Sequence, residues 1–111
     1  MKGISPAIKN AIDLALKYRT ISRVGVFGSY AMGTQNGTSD LDILFDYTEP
    51  LEDDADYVLD ILDYGDELSA ALGELNLTMD FVSYRGVATS ENKQIRENIL
   101  DGVVWLYHRK D

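Results

Sequence analysis

The sequence predicts an α/β domain of the α+β type, in which a mixed sheet of about four strands is packed against helices. Two observations favour this class. β-prone segments and amphipathic helical segments alternate along the chain, and residues with turn or capping preferences separate them. The length of 111 residues suits one hydrophobic core, so we expect residues 1–111 to form a single domain.

The first elements are predicted to be a helix and a short strand. Ser5 is a favourable N-cap, Pro6 suits the first helical position, and apolar residues at helical spacing continue to about Tyr18. Residues 23–27 (RVGVF) are β-prone and end at Gly28, which indicates a strand followed by a turn and a short helix.

A second strand and a long helix are predicted next. Residues 41–47 (LDILFDY) are rich in branched and aromatic side chains, as strands are. Residues 54–72 combine an apolar stripe with an acidic opposite side, and Gly73 is expected to end this helix. The predicted buried stripe comprises Val58, Ile61, Leu62, Gly65, Leu68 and Leu72.

The C-terminal part of the chain is predicted to be strand, helix and strand. Residues 75–84 alternate between apolar and polar side chains, residues 90–102 suit a helix between Ser90 and Gly102, and residues 103–107 (VVWLY) suit a short strand. The positions of the third strand that are expected to face the core are Leu75, Leu77, Met79 and Phe81.

The composition limits the kinds of partner. A net charge of -9 disfavours direct binding to nucleic acid, because phosphates would be repelled. The absence of cysteine suits a reducing compartment, and no apolar run approaches the roughly 20 residues that cross a bilayer. We therefore expect a soluble cytoplasmic protein, without membrane association, whose partners are nucleotides or other proteins.

Three aspartates are the candidate catalytic residues. Asp40 and Asp42 share one face of the second predicted strand, and Asp80 lies on the polar face of the third. If these strands are neighbours, the carboxylates repel one another unless a cation neutralises them, and Mg²⁺ prefers such oxygen ligands. Asp46 continues the same face near the strand end and is expected to be a solvated carboxylate instead of a ligand.

Gly28 and Ser29 are candidates for phosphate binding. They follow a strand and begin a short helix, where free backbone N–H groups favour anions. The alternative is purely structural, with Gly28 making a tight turn and Asn36-Gly37 making a hairpin. The glycines alone do not decide between these interpretations.

The combined pattern resembles the nucleotidyltransferase superfamily of DNA polymerase beta. The matching pattern is Gly28-Ser29, ten intervening residues, then Asp40-Leu41-Asp42, followed later by Asp80 on a strand. Ser39, just before the first aspartate, also agrees with the pattern. Residues 95–107 (IRENILDGVVWLY) resemble the closing helix and strand of minimal nucleotidyltransferases (MNT), the antitoxins of HEPN/MNT toxin–antitoxin pairs. The resemblance implies a polymerase-beta-like fold for nearly the whole chain.

The resemblance also implies an activity, which is transfer of AMP from ATP to a tyrosine hydroxyl of a partner HEPN-type RNase toxin. Two Mg²⁺ ions are the implied cofactors, and a nucleoside triphosphate and the toxin are the implied partners. The implied site residues are Asp40, Asp42 and Asp80 for catalysis and metal binding, and Gly28, Ser29 and Ser39 for nucleotide binding.

Met32 departs from the pattern, because many relatives carry arginine at this place. An arginine there could contact phosphate or the partner, and Met32 cannot supply that charge. Two alternatives therefore remain open: a weak or inactive binding module that neutralises its partner by occlusion, and a small-molecule nucleotidyltransferase. The sequence leaves open the nucleotide base, the acceptor and the oligomeric state, including a homo-oligomer.

Overall fold

A computed structural model describes residues 4–36, 40–48 and 56–109 of the chain. In chain order, the elements are α1 (Pro6–Ile12), a 3₁₀ helix (Asp13–Lys17), β1 (Ile21–Phe27), α2 (Gly28–Met32), β2 (Leu41–Tyr47), α3 (Asp56–Glu74), β3 (Met79–Ser83), α4 (Tyr84–Ala88), α5 (Lys93–Leu100) and β4 (Val104–His108). Among these described residues, no helix is both long and apolar enough to cross a membrane.

The four strands form one mixed sheet, as the sequence predicts, and their order in the sheet is β3-β2-β1-β4. β1 pairs antiparallel with both β2 and β4, whereas β2 and β3 run parallel. The parallel pairing places the beginnings of β2 and β3 at the same end of the sheet. β1 runs in the opposite direction, so its final residue lies at that end as well.

The core lies between one face of the sheet and the helices α1 and α3. Tyr64 is fully buried there, and its hydroxyl donates a hydrogen bond of 2.9 Å to the carbonyl oxygen of Ile12. A buried hydroxyl without such a partner would destabilise the fold. The other fully buried members of this core are Ile12, Ala15, Ile21, Val24, Val26, Leu41, Ile43, Leu68 and Leu72.

The buried side of α3 differs from the predicted stripe. Val58 is 43% exposed and Leu62 is 58% exposed, whereas Tyr64 is buried. The backbone of Gly65 lies against the Phe81 ring of β3, where an added Cβ would be 3.3 Å from Cε2. The prediction was wrong at Val58 and Leu62, because α3 turns the face that carries Tyr64, Leu68 and Leu72 toward the core.

The end of α3 also differs from the prediction. The helix continues to Glu74, and the left-handed residue beyond it is Asn76, with φ of 60°. The Leu77 N–H then donates 2.9 Å to the Leu72 carbonyl oxygen and closes the helix. β3 therefore begins at Met79 instead of residue 75, and Leu75 is 39% exposed instead of facing the core.

The remaining helix boundaries follow local capping. Ser5 caps α1 as predicted, although the helix changes to 3₁₀ geometry after Ile12. Ser83 ends β3 and caps α4, a helix that the sequence did not predict. Asn92, instead of Ser90, caps α5, because the Ser90 Oγ accepts the Asn92 N–H in the preceding turn. The last helix ends at Leu100, two residues before the predicted Gly102.

Candidate active site

The pairing of β2 with β3 places Asp42 directly beside Asp80. These residues are register partners on neighbouring parallel strands, so their side chains lie on the same face of the sheet. The intervening positions Leu41 and Ile43 are buried on the opposite face, in the core. The sequence predicted this arrangement on the condition that the two strands are neighbours, and that condition is met.

Asp40 lies just before β2 and contacts a different residue. Its Oδ1 accepts a hydrogen bond from the Thr78 hydroxyl. The backbone is joined at the same place, because the Leu41 N–H donates 2.9 Å to the Thr78 carbonyl oxygen. The sheet end therefore carries two adjacent side-chain pairs, Asp40 with Thr78 and Asp42 with Asp80.

The electrostatics of this sheet end are unfavourable for Asp42. Burial raises the pKa of its carboxyl group first, and the negative charge of Asp80, a hydrogen bond with Asp80 and the charge of Asp40 raise it further. Every group that shifts this pKa is a carboxylate. The cluster therefore has an excess of negative charge that a bound cation would relieve.

Gly28 forms the other wall of the site. It has φ of +73°, a left-handed conformation that favours glycine. A Cβ at this position would lie only 2.2 Å from Asp42 Oδ2, far inside contact distance. Gly28 is thus required both by its backbone conformation and by the closeness of the Asp42 carboxylate, so the turn and the aspartate are in direct contact.

Ser29, the other predicted nucleotide-binding residue that the structure describes, lies within the short helix α2. Ser29 is partly buried in the first turn, and its carbonyl oxygen accepts the Thr34 N–H at 2.9 Å. Met32 is the last residue of α2 and is 71% exposed. Ser39 lies outside the described residues, and so does Gly37 of the predicted Asn36-Gly37 hairpin.

The carboxylates fit a hard divalent cation by the chemistry of their donor atoms. Oxygen ligands of this kind suit Mg²⁺, which completes its coordination with water and substrate phosphates. Within residues 4–36, 40–48 and 56–109, no three acidic, histidine or cysteine side chains are grouped as metal ligands. Instead, Asp42 and Asp80 contact each other, and Asp40 accepts a hydrogen bond from the Thr78 hydroxyl.

Asp46 lies on the same face of β2 but outside this cluster. Its Oδ2 accepts 2.9 Å from Arg23 Nη2, and its Oδ1 lies 3.8 Å from Arg85 Nε. The Arg23 guanidinium also lies over the rings of Trp105 and Tyr84, at 4.0 and 4.6 Å from their centroids. The expectation of a solvated Asp46 was wrong, because its side chain is only 17% exposed and is ion-paired.

Comparison with known proteins identifies the family of this chain. Residues 9–111 match the family model described as polymerase beta, nucleotidyltransferase. The chain belongs to this nucleotidyltransferase family. Membership confirms the enzyme class and the fold that the sequence resemblance implied.

Similar proteins connect the chain with minimal nucleotidyltransferases. The Methanocaldococcus jannaschii protein named "Putative protein adenylyltransferase MJ0126" is 28% identical over 98 residues, covering 88% of each chain. A structure described as a "putative minimal nucleotidyltransferase" is 29% identical, with a TM-score of 0.61 over 87% of this chain and 86% of that one.

A toxin–antitoxin complex shares the fold. A chain from the structure of tri-AMPylated Shewanella oneidensis HEPN toxin with MNT antitoxin has 18% sequence identity and a TM-score of 0.54. The match covers 92% of the present chain and 71% of that one. The relatives of 28–29% identity confirm the predicted resemblance to minimal nucleotidyltransferases, and the match to the HEPN/MNT complex shows a shared fold.

Proposed function

We propose that this chain is a Mg²⁺-dependent adenylyltransferase that transfers AMP from ATP to a tyrosine hydroxyl of a partner HEPN-type RNase toxin. The observation that carries this proposal is that Asp42, the register partner of Asp80, contacts the Gly28 turn. It joins a candidate metal site to a candidate phosphate-binding site within one small volume. The family supports the reaction class.

The proposed metal ligands are Asp40, Asp42 and Asp80, which would hold two Mg²⁺ ions. Two observations support these ligands. Carboxylate oxygens suit Mg²⁺, and the neighbouring carboxylates of Asp80 and Asp40 raise the pKa of Asp42. When bound, the ions supply charge neutralisation on the phosphates and lower the pKa of the attacking hydroxyl.

The chain's other site residues would bind and orient ATP. Backbone N–H groups at Gly28 and Ser29 and the hydroxyls of Ser29 and Ser39 are the proposed phosphate donors. The tyrosine oxygen then forms a bond to the α-phosphorus while the bond to the β-phosphate oxygen breaks. Pyrophosphate leaves, and the tyrosine proton passes to water. Positioning of the two reactants is the main contribution that these residues can make.

A HEPN-type partner is supported by charge and by the complex described above. The net charge of this chain is -9, and α3 contains six acidic residues and no lysine or arginine. An RNase binds its substrate through a basic surface, so complementary charge would speed and orient docking. In the Shewanella oneidensis complex, the HEPN toxin bound to an MNT antitoxin is AMPylated.

Labelling of the partner tests the proposal. The protein is incubated with ATP labelled at the α-phosphate, Mg²⁺ and the protein product of a neighbouring gene as the candidate toxin. We expect the wild type and Glu91→Gln to label the toxin and Asp42→Asn to lose about 100-fold or more in rate. Glu91 is a suitable control because it is an exposed acid that lies outside both α3 and the site, in the turn before α5. Equal labelling by wild type and Asp42→Asn would refute the assigned mechanism.

Met32 favours a second candidate function, neutralisation of the toxin by binding alone. Its exposed thioether side chain provides no positive charge beside the site. In this case a tight complex would form without nucleotide, would survive Asp40→Asn, and would inhibit the toxin without transfer of label. A size-exclusion measurement with both proteins, with and without ATP, separates the two functions.

A further inference from the structure

Thr78 is the residue that contacts the candidate ligand Asp40. Its hydroxyl donates to Asp40 Oδ1, and it lies immediately before β3. Thr78 is exposed, so this hydrogen bond is not needed to satisfy a buried group. The bond also fixes one oxygen of Asp40 and leaves Oδ2 for another partner.

The backbone holds Thr78 in this place independently of its side chain. The Leu41 N–H donates to the Thr78 carbonyl oxygen at 2.9 Å, and the ladder continues with Leu41 beside Met79. On the other side, the turn after α3 is closed by the bond from the Leu77 N–H to Leu72. Thr78 is therefore fixed between two backbone hydrogen bonds and directed to the same sheet face as Asp40.

We propose that Thr78 is a positioning residue that orients the Asp40 carboxylate for cation binding. The inference rests on the proposed metal-dependent function and deepens it, because it assigns a role to a residue outside the acidic cluster. Asp40 precedes β2, whose pairing with β3 begins at Leu41, so the ladder does not fix its side chain. The hydroxyl of Thr78 restrains this side chain by holding one carboxylate oxygen, Oδ1.

The physical effect is on the cost of binding a cation. Without the hydroxyl, the Asp40 side chain can adopt several rotamers, and ordering it on the metal costs free energy. Hydrogen bonds to ligating carboxylates typically change metal affinity 10- to 100-fold. Loss of the Thr78 hydroxyl should therefore weaken cation binding, and a serine should restore it.

Titration of the full chain with Mn²⁺ in the absence of nucleotide tests this role. Mn²⁺ is the probe because its binding can be followed directly by its paramagnetic resonance signal. We expect Thr78→Val to bind Mn²⁺ about 10-fold more weakly than the wild type, and Thr78→Ser to bind within 2-fold of it. Thr89→Val is a matched control, because the Thr89 hydroxyl donates to the Arg85 carbonyl oxygen at the opposite end of β3.

The outcomes separate the role of Thr78 from the metal site itself. If Asp42→Asn binds Mn²⁺ with the same affinity as the wild type, the metal site of the proposed function is refuted. If Asp42→Asn abolishes binding but Thr78→Val leaves it unchanged or tighter, the site stands and the role of Thr78 is wrong. A thermal melt of each variant checks folding, and Thr78→Ala replaces Thr78→Val if the valine variant does not fold.

Discussion

Asp42 and Asp46 lie on the same face of β2, four residues apart, in opposite electrostatic environments. Asp46 is paired with Arg23 and Arg85, so its charge is balanced within the chain. Asp42 has Asp40 and Asp80 as charged neighbours, which raise its pKa together with burial. One carboxylate is therefore balanced by ion pairs within the chain, while the other has carboxylates as its charged neighbours and would be balanced by a bound cation.

The raised pKa of Asp42 predicts that Asp42→Asn stabilises the metal-free protein at neutral pH. At pH values between the Asp42 pKa of the unfolded protein and its raised pKa in the folded protein, Asp42 is protonated in the folded protein and ionised in the unfolded one. The contribution of Asp42 to stability is therefore complete below the unfolded pKa, about 4, and is lost as the pH rises through the folded pKa. Thermal unfolding in EDTA from pH 4 to 7.5 should show a higher midpoint for the variant, with a difference that shrinks at low pH.

Asp66→Asn is the control for this comparison, because it removes the same charge from the exposed face of α3. A lower midpoint for Asp42→Asn at every pH would contradict the prediction. Addition of Mn²⁺ should raise the midpoint of the wild type but not that of Asp42→Asn.

Strand alternation was sufficient to predict which aspartates share a face, because it is a local property of the sequence. It could not predict the partner of Asp46, which depends on the register that pairs Arg23 with Asp46 across 23 residues. The contact between Thr78 and Asp40 was missed for the same reason. The available signal was that Thr78 precedes Asp80 by two residues, the same interval that separates Asp40 from Asp42.

The end of α3 controls where β3 begins and therefore where its side chains point. Gly73 was predicted to end the helix because glycine is the commonest residue in a left-handed cap. Asn76 takes that conformation instead, so the helix continues to Glu74 and the turn occupies residues that were expected to begin the strand. The apolar residues Leu75 and Leu77 alternate in a way that fits either structure, so the sequence did not distinguish them.

Substitution of Asn76 should separate its backbone role from its side chain. Asn76→Ala should lower the free energy of unfolding by about 1 kcal/mol, because alanine is strained at a positive φ. Asn76→Gly should leave it unchanged or slightly raised, since glycine adopts this conformation freely. Urea unfolding measures both, with Asn98→Ala in the exposed part of α5 as the control. Equal stability of the alanine and glycine variants would show that the left-handed cap is unimportant.

Arg109 joins the C-terminal end of the described chain to its N-terminal part. Its backbone N–H donates 2.8 Å to the Ser22 carbonyl oxygen. Its guanidinium donates to the carbonyl oxygens of Tyr18 at 2.9 Å, Ala15 at 3.3 Å and Ile21 at 3.3 Å. These contacts satisfy the end of the 3₁₀ helix and hold it against β1, so one side chain links segments about 90 residues apart.

Replacement of Arg109 should destabilise the whole molecule. Arg109→Lys keeps the charge but cannot reach several carbonyl oxygens from one planar group, so we expect a loss of about 1–3 kcal/mol. Urea unfolding measures this loss, and Arg19→Lys is the control because Arg19 is exposed. Equal unfolding midpoints for the two variants would mean that the guanidinium contacts do not contribute.

The order of strands and helices was predictable over most of the chain, because hydrophobic periodicity and β-propensity are local. β2 has the same limits in the prediction and in the structure, and the four strands form the expected mixed sheet. The short helix α4 was not predicted, since its five residues are too few for a periodic signal. The ring of its first residue, Tyr84, contacts Trp105 on β4, which is 21 residues away in the sequence.

The contact between Gly28 and Asp42 has a mechanical consequence. The glycine backbone and the aspartate carboxylate touch with no space for even a methyl group between them. A displacement of the turn toward the sheet must therefore push Asp42, and a change in the position of Asp42 must push the turn. Close approach of the segment proposed to hold phosphate is therefore limited by the side chain proposed to hold metal.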